Sequence, residues 1–131
     1  MMRTLEPAGW PRPKGYSNGI AVKGGTTVYV AGQIGFNDKG VIEEQTFAGQ
    51  FRQTLKNTLA VLAEAGGKPE HIVRMTWYVT DKQEYLGAIR EVGAAYRELI
   101  GRHYPVMAVV QVVALMEDAA KVEIETTAVI P

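Results

Sequence analysis

Residues 45–81 read QTFAGQFRQTLKNTLAVLAEAGGKPEHIVRMTWYVTD, and the period of their apolar residues changes at Gly66-Gly67. Before the two glycines, Phe47, Phe51, Leu55, Leu59 and Leu62 recur at spacings of four, four, four and three, with Thr58 and Val61 beside them. That spacing is one face of a helix, predicted from Gln45 to Ala65, and glycine just past the last turn ends it. After the glycines, Val73, Met75, Trp77 and Val79 alternate with Arg74, Thr76, Tyr78 and Thr80. A period of two predicts a strand over Ile72–Thr80. Asp81 then predicts an N-cap, with Glu84 three residues on completing a capping box. The helix it opens carries Tyr85, Ile89, Val92, Tyr96 and Leu99 on one stripe and is predicted to run unbroken to Gly101.

Outward from this core the chain is strand-like on both sides. Residues 1–17, rich in proline and glycine, read as an irregular leader. Ile20–Val22 and Thr26–Ala31 read as two strands hairpinned about Gly24-Gly25. Gly32-Gln33-Ile34-Gly35 marks a bend or a close backbone approach, and Asn37-Asp38-Lys39-Gly40 is a turn. Downstream, Val106–Leu115 is apolar at nearly every position, and Lys121–Val129 alternates Val122 and Ile124 against Glu123 and Glu125. The order of strands, helix, strand, helix, strands predicts one α+β domain over residues 1–131, a mixed sheet with both helices on one face. Because Val106–Leu115 is apolar towards both faces, the side away from the helices calls for a cover. A homo-oligomer with facing sheets is the expected one.

Composition narrows the chemistry. Fourteen Lys and Arg balance fourteen Asp and Glu, and the basic residues are scattered, which disfavours nucleic acid as a partner. Cysteine is absent, so thiol nucleophiles and Cys-ligated metals are excluded, and the two histidines, His71 and His103, fit no metal-spacing motif. No metal is expected. Prolines and charges break up the N-terminal stretch that a signal peptide would need to be apolar. The longest apolar run falls well short of a membrane span, so a cytoplasmic protein is expected. The single serine, Ser17, sits in no nucleophile elbow, and no phosphate-binding glycine loop is present.

Three local clusters remain. Tyr16-Ser17-Asn18-Gly19 gathers a phenol, a hydroxyl and an amide, and fits either a turn with a packed tyrosine or a ligand contact. His103, beside Tyr104-Pro105, fits an exposed or hydrogen-bonded histidine as readily as a functional one. Glu123 and Glu125 share a face of a strand that should be central in the sheet. Carboxylates there are either a solvated face or a means of orienting water and moving protons.

Gly15-Tyr16-Ser17-Asn18-Gly19, Val28-Tyr29-Val30-Ala31-Gly32-Gln33-Ile34 and Gln45-Thr46 stand in one order with Leu59-Ala60-Val61-Leu62-Ala63-Glu64-Ala65-Gly66. Ile72-Val73-Arg74-Met75-Thr76, Val79-Thr80-Asp81 and Val122-Glu123-Ile124-Glu125 continue it. Along nearly its whole length the chain resembles the RidA/YjgF family of reactive-intermediate deaminases. The resemblance implies a chorismate-mutase-like α+β fold and a homotrimer with ligand pockets between subunits. It also implies cofactor-free hydrolysis of small-molecule enamines and imines to 2-keto acids and ammonia. By the same resemblance the pocket tyrosine is Tyr16, the glycine after the second strand is Gly32 and the water-orienting glutamate is Glu123. Tyr16 and Glu123 are thus the expected catalytic residues, and Gly32, Met107, Ser17 and His103 the expected substrate-binding positions.

Met107 stands where the family carries the arginine that holds the substrate carboxylate, and Arg90 stands in the second helix where an asparagine is usual. A guanidinium grips a carboxylate through paired charge-assisted bonds that a thioether cannot make. Breaking such a buried pair costs about 3–5 kcal/mol. The leading expectation is therefore an imine or enamine hydrolase with an altered, less acidic substrate. The other outcomes are a replacement cation among Arg74, Arg90, Arg102 and His103, or a trimeric binding or chaperone-like module without catalysis. Ribonuclease chemistry is disfavoured by the charge balance and by the lack of a suitable histidine pair.

Overall fold

Thr46, not Gln45, starts the long helix: its hydroxyl oxygen accepts from the Gly49 N–H at 3.1 Å. α1 runs over Phe47–Glu64 and ends on Gly66 in the left-handed region (φ 79°), the conformation glycine adopts without steric cost. The computed structural model describes all 131 residues. In chain order the other elements are β1 (Met2–Leu5), β2 (Gly19–Val22), β3 (Thr26–Gln33), β4 (Ile72–Val79), α2 (Lys82–Gly87), α3 (Ile89–Leu99), β5 (Val106–Gln111) and β6 (Val122–Ile130). β3, β6, β4 and β5 form one mixed sheet in that order, antiparallel except for the β4–β5 pair. β6 is an inner strand, as its alternation predicts.

α1 and α3 pack on one face of this sheet. Phe51, Leu55, Leu62, Ile72, Met75, Val122 and Ile124 are fully buried between them. Thr54 and Thr58 share that burial because each hydroxyl donates to the carbonyl one helical turn back, at 2.7 and 2.9 Å, so neither leaves an unpaired polar group in the core. Gln50 is the hub at the helix start. Its amide donates to the Glu44 and Ala119 carbonyls at 3.1 and 3.0 Å, and its oxygen accepts from the Lys121 N–H at 2.8 Å. α1 is thereby tied to the entry of β6.

Four expectations are corrected. The hairpin about Gly24-Gly25 does not form: β2 pairs with β1, and β3 pairs with β6. Gly25 (φ 82°) abuts the end of β6, where a Cβ would meet the Ile130 carbonyl oxygen at 2.6 Å, so the chain leaves this turn alongside β6. Secondly, the leader is not wholly irregular, since Met2–Leu5 is the strand that occupies β2. Thirdly, the second helix is two, α2 and α3, hinged at Ala88 (φ −103°, ψ 10°) just after Gly87, a poor helix former. Lastly, β5 stops at Gln111 rather than Leu115. Its parallel partner β4 ends at Val79, opposite Gln111, because Asp81 caps α2 by accepting from the Gln83 and Glu84 N–H groups. Beyond that point no ladder is available, and Val113 and Met116 are fully exposed.

The sheet face away from the helices is more polar than Val106–Leu115 suggested. Arg74, Thr76 and Tyr78 project there from β4, opposite Thr127, Glu125 and Glu123 of β6. The β5 edge, through Val106, Ala108 and Val110, is apolar on that side, and Tyr29 of β3 adds an exposed ring there.

Candidate functional site

Tyr16 is placed by its neighbour. The Ser17 N–H donates to the Pro105 carbonyl at 3.1 Å and its hydroxyl donates to the Tyr104 carbonyl at 2.5 Å, clamping residues 15–17 across the start of β5. Tyr16 therefore lines a cavity of about 550 Å³ whose walls also include Trp77, Tyr85, Tyr96, Tyr104 and Met107. Ligand pockets are typically about 300–1,000 Å³. Met107, half-buried, reaches this cavity because it pairs with buried Met75 and shares its helix-side orientation. Aromatic rings fix one another around it. Trp77 meets Tyr85 edge-on at 6.4 Å, and Tyr96 stacks on Tyr104 at 5.8 Å and 7°. The indole N–H of Trp77 is buried without a partner.

Glu123 and Gly32 form a second cluster, on the other face of the sheet. One extra residue between Val30 and Gln33 bulges β3 against β6, and bulges re-aim the backbone at this kind of place. There the Glu123 side chain folds over Gly32, where a Cβ would lie 2.9 Å from its carboxyl carbon. Glycine at this position admits the carboxylate. Behind the bulge, the Asn57 amide donates to the Ile34 and Phe36 carbonyls at 2.8 and 2.9 Å, and Gly35 rests against the Gln50 backbone, so α1 holds the loop. Glu125, two residues along, is engaged differently: it accepts from the Tyr78 hydroxyl at 2.6 Å. That hydrogen bond, with lesser contributions from desolvation and from the negative charges of Glu125 and Glu123, pushes the Tyr78 phenol above its usual range.

The predicted site residues thus divide. Tyr16 and Met107 share the helix-side cavity, whereas Gly32 and Glu123 meet on the opposite face with the sheet backbone between the two groups. Ser17 spends its hydroxyl on the Tyr104 carbonyl, and His103 Nε2 contacts the Ile72 carbonyl at 2.5 Å; neither lines the cavity. The four basic residues expected as candidate carboxylate-binding cations, Arg74, Arg90, Arg102 and His103, do not line it either. Arg97 and Lys14 do. Sequence reasoning missed both, and it read Tyr85 and Tyr96 as core stripe only. The available signal was the four-residue spacing of Gly93 and Arg97, which puts them on one helical face. No group of three or more His, Asp or Glu side chains converges to hold a metal, and no helix is long and apolar enough to cross a membrane.

The cavity tyrosines also set an alkaline limit on stability. Burial pushes the phenols of Tyr85 and Tyr96 up, and Tyr96 donates to the His103 carbonyl at 2.6 Å. A raised folded value means that the unfolded chain ionises first. Stability is therefore complete below about pH 10, the unfolded tyrosine value, and falls as pH rises above it. Urea midpoints at pH 8, 10 and 11 should decline in order. Tyr96→Phe should cost about 1 kcal/mol at pH 8 through the lost hydrogen bond and should flatten the alkaline decline. An unchanged slope in that variant would exclude Tyr96 as its source.

Comparison with known proteins gives a consistent result. A family model described as Endoribonuclease L-PSP matches residues 11–130. The 2-iminobutanoate/2-iminopropanoate deaminase of Escherichia coli is 32% identical over 133 residues, covering 98% of each chain. Among solved structures, a Rid-family protein of Yersinia pestis, YyfB, superposes with a TM-score of 0.84 at 30% identity over 98% of both chains. RidA from an Antarctic Psychrobacter gives 0.70 at 31% identity, over 98% of this chain and 99% of the other.

Proposed function

The chain belongs to the RidA/YjgF (Endoribonuclease L-PSP) family, and from that premise we propose that it hydrolyses small imines or enamines to carbonyl compounds and ammonia, with a substrate selectivity altered by Met107. The observation that carries this proposal is the Glu123 carboxylate folded on Gly32, an acid–base group on an inner strand whose entry is tied to α1 through Gln50. Water adds to the C=N carbon as Glu123 accepts one of its protons. The same carboxyl group returns that proton to nitrogen, giving the neutral carbinolamine; it then carries the hydroxyl proton to nitrogen as the C=O bond forms and the C–N bond breaks, and ammonia leaves. The balance consumes one water and requires no electron transfer. Tyr16 donates or accepts one hydrogen bond at the substrate, positioning it for attack.

Such a site is shared between chains. Glu123 and Gly32 face one way from the sheet and Tyr16 and Met107 the other, so one substrate meets both groups where the open face of one subunit abuts the cavity of the next. A homotrimer closed in this way also covers the apolar β5 edge. Sedimentation equilibrium at micromolar concentration should give a trimer, and a monomer there would count against the shared site.

Activity is tested by generating imino acids with an amino-acid oxidase in the presence of semicarbazide. Semicarbazone formation should fall as the protein diverts the imine to the keto acid. Unchanged trapping with every imine, in an intact oligomer, would favour the binding module over the enzyme.

A further inference from the structure

We propose that Arg97, assisted by Lys14, is the cation that holds the carboxylate of this protein's ligand, and that the ligand's side chain is aromatic or bulky and apolar. The proposal rests on the hydrolytic reading above for its chemistry, but on the helix-side cavity alone for its binding site. Arg97 and Lys14 are the charged residues in the cavity wall, and no Asp or Glu lines it. Arg97 has no ion pair: the two in the chain join Arg52 to Glu98 and Lys121 to Glu84. Nor does its guanidinium make a hydrogen bond within the chain, so all of its donors are available to a ligand.

Gly93 leaves space beside the guanidinium. Helical side chains lean towards the N-terminus over the preceding turn, which carries Arg97 back over residue 93. A Cβ at that position would lie 3.2 Å from Arg97 Nη1. A larger side chain there would contest the space the guanidinium occupies. Glycine inside a helix costs about 0.5–1 kcal/mol relative to alanine, and here it leaves room for the Arg97 guanidinium in the cavity wall.

The rest of the wall selects what the carboxylate is attached to. Trp77, Tyr85, Tyr96 and Tyr104 hold one another by ring contacts, so little side-chain freedom is lost when a ligand enters. Met107 contributes a polarizable thioether, which packs well against aromatic rings. Replacement of an arginine by methionine at the β5 position therefore need not remove the acid group from the ligand. The cation has moved to α3, and the vacated position has become part of an apolar side-chain pocket.

The test separates binding from turnover. Calorimetric titration of the oligomer with 3-phenylpropanoate and with its uncharged amide should show tighter binding of the anion, by about 10–100-fold as expected for a charge-assisted contact. Arg97→Met should abolish that preference by weakening binding of the anion far more than that of the amide, and Lys14→Met should reduce the preference by less. No binding of either compound, equal affinities in the wild type, or a preference that survives Arg97→Met would each overturn the proposal. A second arm compares oxidase-generated imines of phenylalanine and alanine. A higher kcat/KM for the phenylalanine imine, with KM rather than kcat worsened by Arg97→Met, supports the assignment. Failure of all turnover with anion binding intact would remove the hydrolytic reading and leave the anion site supported; turnover indifferent to Arg97→Met would sink the anion site and leave hydrolysis standing.

Discussion

Glu123→Gln should lower imine hydrolysis by about 10²–10⁴-fold, the usual contribution of a positioned acid–base group. Glutamine matches the volume and keeps the side chain over Gly32, but it can no longer take a proton from water. Glu123 makes no ion pair and no hydrogen bond within the chain, so its replacement should change stability by no more than about 0.5 kcal/mol. Loss of rate with an unshifted unfolding curve is therefore the expected pair of results. Glu125→Gln is the matched control on the same strand face, because Glu125 is occupied by the Tyr78 hydroxyl and does not approach Gly32. A Glu123→Gln protein as fast as the wild type, or an equal loss in both variants, would remove Glu123 from the chemistry.

Phe51→Ala should destabilise the protein by about 3–5 kcal/mol. Phe51 is completely buried in α1, and its ring meets Trp77 of β4 at 4.8 Å and 63°. Removing it opens a cavity at the centre of the helix–sheet contact and also deletes an edge-to-face pair worth about 0.5–1.5 kcal/mol beyond its area. Domains are stable by only about 5–15 kcal/mol in total, so the thermal midpoint should drop by about 10–20 °C. Wild type and variant must be compared at one concentration, since assembly adds to apparent stability. Trp77 also forms part of the cavity wall, so its fluorescence should report the loosening before global unfolding. A loss below about 1 kcal/mol would mean that α1 does not seal the sheet at this point.

The two predictions differ in how far ahead of the structure they could be made. Phe51 was legible as core from its place in the Phe47–Leu62 stripe, because burial on a helix follows directly from a period of 3.6. Glu123 was legible as a face-sharing carboxylate on a strand, and the family resemblance proposed its role. That it sits against Gly32 follows from a bulge one residue wide, which no periodicity announces. The hairpin about Gly24-Gly25 failed for a related reason. Two short strands and a glycine pair satisfy local turn chemistry, but a nine-residue β6 offers β3 a longer ladder, and Met2–Leu5 satisfies β2 instead.

What the sequence by itself determined is the alternation of elements, the buried face of α1, the strand identity of β4 and β6, and family membership. These depend on neighbours within one or two turns or along one strand, where side-chain period and capping chemistry act. The tertiary structure alone decided which strands pair, where β5 ends, that Gly32–Glu123 and Tyr16–Met107 occupy opposite faces, and that Arg97 rather than any of the expected cations reaches the cavity. Those outcomes depend on contacts between residues far apart in the chain, whose relative energies are set by register, bulges and the space left by glycine. The glycines mark where a close approach can occur, but register and bulge position, which decide what approaches, are carried by no local pattern of residue types.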